Sequence, residues 1–567
     1  MTTVVLLDGY NDEPAGLGVP PYIDVYARYV AGAVWTVEHS ATVHYFTIDF
    51  VRENPDTFFR VAGKSDLLVV FGGVVVPGKY LGGKPITAEE LVRIPRSVEG
   101  PVKILTGPFV RFGLGVRGGE RAVPREEFED AYDLVAPGDP WLVVYEYMLE
   151  KSLEKVNPYA VSKDYSLVDR FAVRGARIVL QHPNLGYNLT AEIETYKSCP
   201  RWVTGGCSFC IEPRLGRVVF REAKSIGEEV RALYELGVRA FRLGRQADFL
   251  AYKAKGVNEV EFPEPDPSSI EELMRTVRLA APSAETIHID NVNPATIYIH
   301  KEKAREALKS IVKYHTPGDV AAFGLESADP VVVKQNNLGN DAEGVLEAIK
   351  IVNEVGARRG WNGSPELLPG VNFVLGLPGE TAKTYRANKE FLERILEEGL
   401  LVRRVNVREV LPLPGTPMWS VGTSIAEAHR KYAKAFKKWV RRNFDEKMLP
   451  KVYPKGTILR NCYVEYQAGP TTIARPTGSY PIAVFLEEKE GLAKMMKVDC
   501  IVTGHKARSL LGVPLPVNPQ KHSLKTLTKV FGRKRAFEVK RGLVPKDPLA
   551  RYITGRISSV AASSHGL

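Results

Sequence analysis

Three of the five cysteines in the chain fall within one short stretch, Cys199-Pro-Arg-Trp-Val-Thr-Gly-Gly-Cys207-Ser-Phe-Cys210. Thiolates this close together suit a metal or an iron–sulfur cluster, and three of them on a four-iron cluster leave one iron open for chemistry. A structural zinc site wants a fourth ligand, and no further Cys or His stands near enough in sequence to supply it. Gly205 and Gly206, ahead of the second cysteine, let the backbone wrap closely around a bound group. The bland alternative is three inert buried thiols. The spacing favours a catalytic cluster loop.

Such a loop has to be presented by a scaffold. A run over Glu192-Ile-Glu-Thr-Tyr196 delivers the chain to Cys199 and reads as a strand. Beyond Cys210, helical periods alternate with short apolar runs: strands over 240–244, 286–290, 319–326, 370–376 and 404–410, with helices over 226–236, 270–280, 301–313, 342–355 and 382–398 between them. With the entry strand, six βα units predict a partial parallel barrel whose chemistry lies at the strand C-termini. Polar residues collect there: Gly244, Arg245, Gln246 and Asp248, then His288, Asp290, Asn291 and Asn293, then Glu326 and Ser327, then Gly376 to Glu380. Each alone reads as a cap or a turn. Polar loops at four successive strand ends point to a ligand.

These segments resemble the radical S-adenosylmethionine (radical SAM) superfamily, in which three cysteines hold a [4Fe-4S] cluster and SAM chelates the fourth iron. The family has three residues in the first cysteine gap, where this chain has seven, Pro200 to Gly206. The resemblance implies that Cys199, Cys207 and Cys210 bind iron and that Phe209 lies near the adenine. It places Gly244 and Gln246 in the second-strand motif that meets the SAM amino group, although the family commonly has an acid where this chain has Gln246. Asp290, Glu326, Ser327 and Gly376 would complete the SAM site. The segments Val374-Leu-Gly-Leu-Pro-Gly-Glu-Thr381 and Leu413-Pro-Gly-Thr-Pro417 resemble the Elongator-like and methylthiotransferase-like branch. An electron donor such as ferredoxin or flavodoxin would reduce the cluster.

Ahead of the barrel, strands over 3–8, 43–48, 66–71 and 102–106 and a helix over 23–37 predict a doubly wound Rossmann-like layer with a crevice at its strand C-termini. The turn-rich run Asp8 to Pro21 occupies the first such loop. Its place resembles that of a cobalamin-binding domain, but none of the ten histidines sits in the D-x-H-x-x-G cobalt-ligand pattern, so cobalamin is a cofactor the layout permits and no motif supports. Methylthiotransferases carry a second cluster on three cysteines in this region. This chain has no cysteine there.

Behind the barrel, five short β-rich runs between 456 and 502 suggest a small closed barrel of OB type. The segments over 472–482 and 502–510 resemble a TRAM domain, which implies RNA contacts from Arg475, Tyr480, His505, Lys506 and Arg508. The tail around Gly532 resembles a helix–hairpin–helix, and Arg533, Lys534 and Arg535 would meet phosphates. From Lys521 onward there are eleven Lys/Arg against two acids, most of the chain's net charge of +11. A polyanionic partner follows.

On this reading the fold is α/β: a Rossmann-like domain over 1–165, a partial (β/α)6 radical SAM barrel over 185–445, a TRAM/OB-like β-barrel over 446–515 and a basic helical tail over 516–567. The expected activity is SAM cleavage and C–H modification of RNA, most simply tRNA, with methylation ahead of methylthiolation. Alternatives are a small-molecule or peptide substrate, or an Fe–S RNA-binding protein without turnover. Five cysteines in 567 residues, and no apolar run of membrane-spanning length, predict a cytoplasmic protein.

Overall fold

The computed structural model describes residues 1–10, 22–73, 83–468, 471–487, 491–543 and 547–555. Most of the turn-rich run expected over Asp8 to Pro21 lies outside them. The chain opens with β1 (Thr3–Asp8), β2 (Tyr22–Ile23), β3 (Thr42–Thr47), β4 (Leu67–Phe71), β5 (Val102–Thr106) and β6 (Leu134–Ala136). All but β2 form one parallel sheet in the order β3-β1-β4-β5-β6. Val4 to Leu7 and Leu67 to Phe71 are wholly buried, as expected of parallel strands covered on both faces. The strand order reverses at β1, and ligand crevices form at such reversals.

The central layer contains β7 (Thr190–Glu192), β8 (Tyr196–Lys197), β9 (Val219–Phe220), β10 (Ala240–Leu243), β11 (Thr286–Ile289), β12 (Asp319–Glu326), β13 (Leu367–Leu375) and β14 (Arg404–Glu409). Strands β7, β10 and β11 run parallel, as do β12, β13 and β14. A parallel bridge from Asn291 to Ala322 joins the two groups. The entry strand differs from expectation. It ends at Glu192, because Glu194 and Thr195 turn away to accept the Tyr165 hydroxyl (2.6 Å) and to donate to Gln246 (3.2 Å). Tyr196 and Lys197 then pair antiparallel with β9.

Both edges of this open barrel are sealed by the N-terminal layer. Strand β2 pairs in parallel with β7, and the Gly119 and Ala122 N–H groups donate to Val410 and Pro412 just past β14. A buried charge cluster backs the first seam. Glu229 accepts from Arg28 on helix Val25–Val37 and from Arg221 (2.6 Å), while Arg221 also donates to Asp169 (3.1 Å).

A helix from Arg430 to Val452 follows β14, with a π-helical stretch over Val440–Asp445. Its buried residues are Ala433, Phe436, Val440, Phe444, Met448, Leu449 and Val452, all but Leu449 forming a row mostly four apart. A plain α-helix would rotate such a row off the core, and the wider π turns keep it there. The chain then forms β15 (Ile458–Ala468), β16 (Thr471–Pro476), β17 (Ala483–Leu486), β18 (Lys497–His505) and β19 (Ser509–Pro514), a closed barrel in the order β15-β16-β17-β19-β18. Two expected strands, beginning at Gly456 and Cys462, are one long strand, and the fifth is Ser509–Pro514. Asn461, at positive φ, marks the bulge where the apolar pattern broke. Helices Leu524–Phe531 and Arg533–Lys540, divided at Gly532, pack against this barrel through Leu527 and Ala536. Among the described residues no helix is long and apolar enough to cross a membrane.

Candidate active site

The loop from Cys199 to Cys210 is an excursion closed at its base by the β8–β9 ribbon. Its long first gap is taken up by a 3-10 turn over Pro200–Thr204, after which Gly205 (φ +81°) and Gly206 (φ +63°) bring the chain back to Cys207. A side chain at Gly206 would stand 2.2 Å from the Pro213 ring, so glycine is required there. Arg201, within the turn, is buried and donates to Glu261 (2.5 Å), Cys207 Sγ (3.0 Å), Leu338 O (3.0 Å) and Asn337 O (2.7 Å). The Asn337 amide returns two bonds to Thr204 O and Gly206 O, and the Ser208 hydroxyl meets Asn336 Oδ1 at 2.8 Å. Asn336 and Asn337 follow helix Pro330–Gln335, so the loop is pinned to the segment behind β12.

All three thiols line one cavity of about 460 Å³ at the C-terminal end of the barrel strands. Burial pushes Cys199 up to about 12 and raises Cys207 and Cys210 as well. Free thiols here stay protonated at neutral pH, and binding iron would release protons. Among the described residues no three His, Cys, Asp or Glu side chains converge on a single ion. Three soft donors spread around one cavity suit a multi-iron cluster better than a mononuclear ion. The residues present fit a [4Fe-4S] group.

The far wall is a buried polar network. Arg242 donates to Asp290 (2.8 Å) and lies 3.5 Å from Glu192, and a Cβ at Gly244 would strike both Glu192 and Arg242. Glu326 ends β12 at φ +63°, beyond an irregularity in the β12–β13 register, which turns its carboxylate back over Gly324. The left-handed region costs a non-glycine residue about 1–2 kcal/mol, and strain of this kind gathers at functional sites. Tyr480 arrives from the C-terminal barrel. It is 8% exposed, its hydroxyl donates to Asp290, and the Arg404 guanidinium lies 3.8 Å over its ring.

Of the residues expected to hold SAM, Phe209, Gly244, Gln246, Asp290 and Glu326 line the cavity with the cysteines. Ser327 and Gly376 do not. Ser327 is buried and accepts the Asp329 N–H (3.2 Å), and Gly376 turns the chain at φ +87°, donating to Glu380 (2.7 Å). Both are turn builders. Gln246 is committed too, its amide donating to Leu243 O (2.5 Å) and accepting from Thr195 (3.2 Å).

The expected RNA contacts divide similarly. Tyr480 is a correction: it is buried under Arg404 at the barrel base and faces the cavities there instead of an open surface. Arg475 is tied to Glu465 (2.8 Å) and Pro481 O (3.0 Å), and His505 to Tyr453 O (2.6 Å). Arg475 and Arg508 line a second cavity of about 850 Å³ at the base, which contains none of the cysteines. Lys506, Arg508, Arg533, Lys534 and Arg535 are exposed, although Arg508 pairs with Asp445 (2.5 Å) and Arg535 with Asp547 (3.0 Å). Sequence reasoning missed Arg201, Arg242 and Arg404. Arg242 was readable as a charge inside the apolar run Ala240-Phe-Arg-Leu243, which has to be paired if the run is buried.

Residues 193–392 match the model of the radical SAM superfamily. The chain is 42% identical over 511 residues to an uncharacterized protein of Methanocaldococcus jannaschii, covering 90% of this chain and 92% of that protein. It is 27% identical over 203 residues to a putative methylthiotransferase of the same organism, covering 35% of this chain and 38% of that one. Among solved structures it is similar to the cobalamin-dependent SAM radical enzyme OxsB with aqua-cobalamin bound, at 14% identity and a TM-score of 0.46, covering 79% of this chain and 56% of that one.

Proposed function

We propose, from the premise that the chain belongs to the radical SAM superfamily, that it modifies a C–H position in RNA, with tRNA as its substrate. The observation that carries this reading is the single cavity shared by three thiols, the polar barrel ends and Tyr480 of the C-terminal barrel. A [4Fe-4S] cluster on Cys199, Cys207 and Cys210 would supply the electron that splits SAM into methionine and a 5′-deoxyadenosyl radical, which takes hydrogen from substrate. Arg201 sets a positive charge against the Cys207 sulfur. Arg242 and Asp290 offer an anchored cation and carboxylate to the amino-acid end of SAM, and Glu326 faces the same space. Val292, Phe112, Leu411 and Leu413 supply apolar wall that excludes water.

The loops after β5 and β6, Gly107 to Phe112 and Pro137 to Trp141, open into this cavity. A methyl carrier or substrate held by the Rossmann-like sheet would therefore face the thiols. Those loops contain no histidine to ligate cobalt and no cysteine for a second cluster. Methylation or another C–H modification fits that inventory better than methylthiolation. The β15–β19 barrel, read as TRAM-like, and the helices around Gly532 supply the cationic surface for RNA.

Mass spectrometry of nucleosides in bulk RNA, from cells with and without the gene, tests the reading. A nucleoside lost and replaced by a lighter precursor is expected, its mass difference naming the group added. An unchanged nucleoside profile would refute an RNA substrate under those growth conditions.

A further inference from the structure

The helix from Arg430 to Val452 carries a charge pattern that the fold does not use. Arg430, Lys434, Lys438 and Arg442 fall at successive i,i+4 positions, one every ~6 Å along the axis. Lys431 and Arg441 flank them, and all six are exposed. None closes an ion pair with a described residue; the two pairs this helix does form use Lys437 (to Glu409, 2.6 Å) and Asp445 (to Arg508). Like charges at i,i+4 repel and weaken a helix. This helix keeps them in a row, while its other face is buried through Phe436, Val440 and Phe444.

The two pairs also fix where the row runs. Glu409 lines the thiol cavity, so Lys437 places this part of the helix beside the cavity wall. Further on, Asp445 holds Arg508 of the C-terminal barrel, and the Tyr453 carbonyl, just past the helix, meets His505. The cationic row therefore passes beside the cavity wall, with Arg430 and Lys434 before that contact, and continues through Lys438 and Arg442 toward the C-terminal barrel.

We propose that this helix face is a phosphate track, along which the backbone of the substrate RNA passes between the C-terminal barrel and the thiol cavity. The inference rests on the RNA reading above and adds a surface that the C-terminal residues alone do not provide. Evenly spaced, unpaired cations on a rigid helix bind phosphates without reading bases, so the track positions the strand and leaves selection to the cavity.

Binding of a fluorescein-labelled, unmodified tRNA transcript to the full chain, followed by anisotropy across a range of KCl concentrations, tests it. In the triple variant Lys434→Gln, Lys438→Gln, Arg442→Gln, the slope of log affinity against log salt should become shallower by about 2, since each lost phosphate contact removes about 0.7. Lys434→Arg with Lys438→Arg should keep the wild-type slope. Uncoupled 5′-deoxyadenosine production should be unchanged in both, because none of these residues lines the cavity. A triple variant that binds with the wild-type slope overturns the track and leaves the RNA reading standing. A wild-type chain with no salt-dependent tRNA binding overturns both.

Discussion

The five cysteines divide by surroundings rather than by type. Cys199, Cys207 and Cys210 face one cavity, whereas Cys462 and Cys500 face each other inside the C-terminal barrel, Sγ to Sγ 3.6 Å, wholly buried. Substituting any one of the first three with Ala should remove most cluster iron and abolish 5′-deoxyadenosine formation. Cys462→Ala should leave iron content at the wild-type level; iron assay and absorbance of the reconstituted protein separate the two groups. Tyr480 makes a similar distinction between elements. The resemblance of residues 472–482 to a TRAM segment implied RNA contacts from Arg475 and Tyr480, yet this loop enters the barrel base, where the Ser479 N–H donates to His288 (3.1 Å) and Tyr480 to Asp290. A hydrogen bond to a charged group contributes about 1.5–3 kcal/mol. Tyr480→Phe should therefore weaken SAM-dependent turnover roughly tenfold or more while tRNA affinity stays at the wild-type value. A loss of tRNA affinity with turnover intact would restore the surface role.

At the scale of elements, the barrel strands were legible because parallel strands read as apolar runs and each is followed by a helical period. The strand Val102–Thr106 lies where its pattern placed it, and β1 likewise. Less legible were elements whose pairing is set by distant chain: β2, only two residues long, exists because β7 offers an open edge, and β8 because β9 returns to it. That Cys199, Cys207 and Cys210 share one cavity accords with their close spacing in the sequence, but Arg201 and the Asn336–Asn337 clamp were not legible, since the chain between them is folded away through the whole barrel. His182 shows an element boundary with a measurable consequence. It follows the 3-10 turn Ala176–Gln181, packs against Tyr45, accepts the Asn184 N–H (3.1 Å), and burial holds its pKa down to about 3. The folded chain keeps His182 neutral while the unfolded chain takes up a proton below about 6.5, so stability is lost as pH falls from there toward 3. At pH 5 the loss from this group is about 2 kcal/mol. His182→Asn, whose Oδ1 can take the same N–H, should flatten that part of the decline, seen as a smaller drop in urea midpoint between pH 7 and pH 5. An unchanged drop would assign the acid sensitivity to other groups.

Across the whole molecule, one apolar cluster runs from Val4 in the first sheet through the central barrel to Leu510 in the C-terminal barrel. The three parts therefore share a core instead of meeting at wet surfaces, and the cavity exists only where they meet. The seam between the first two depends on Glu229. Burial alone would raise its carboxyl, but Arg28 and Arg221 hold it below the ordinary range, and all three side chains are fully buried. Removing the charge from one member of such a set leaves the others uncompensated in a low dielectric, at a cost of about 3–5 kcal/mol. Glu229→Gln keeps the shape and leaves two guanidiniums facing a neutral amide. In a chain of 567 residues that cost corresponds to a fall in Tm of only about 3 °C, because the unfolding entropy is large. The shape of the transition carries more information than its midpoint. With a shared core, calorimetry of Glu229→Gln should show one transition moved down and undivided, and 5′-deoxyadenosine formation should decline together with it. If the seam were only a docking contact, the same substitution would split the transition into an N-terminal and a central melting step, and the Rossmann-like layer would be a separable accessory to the barrel.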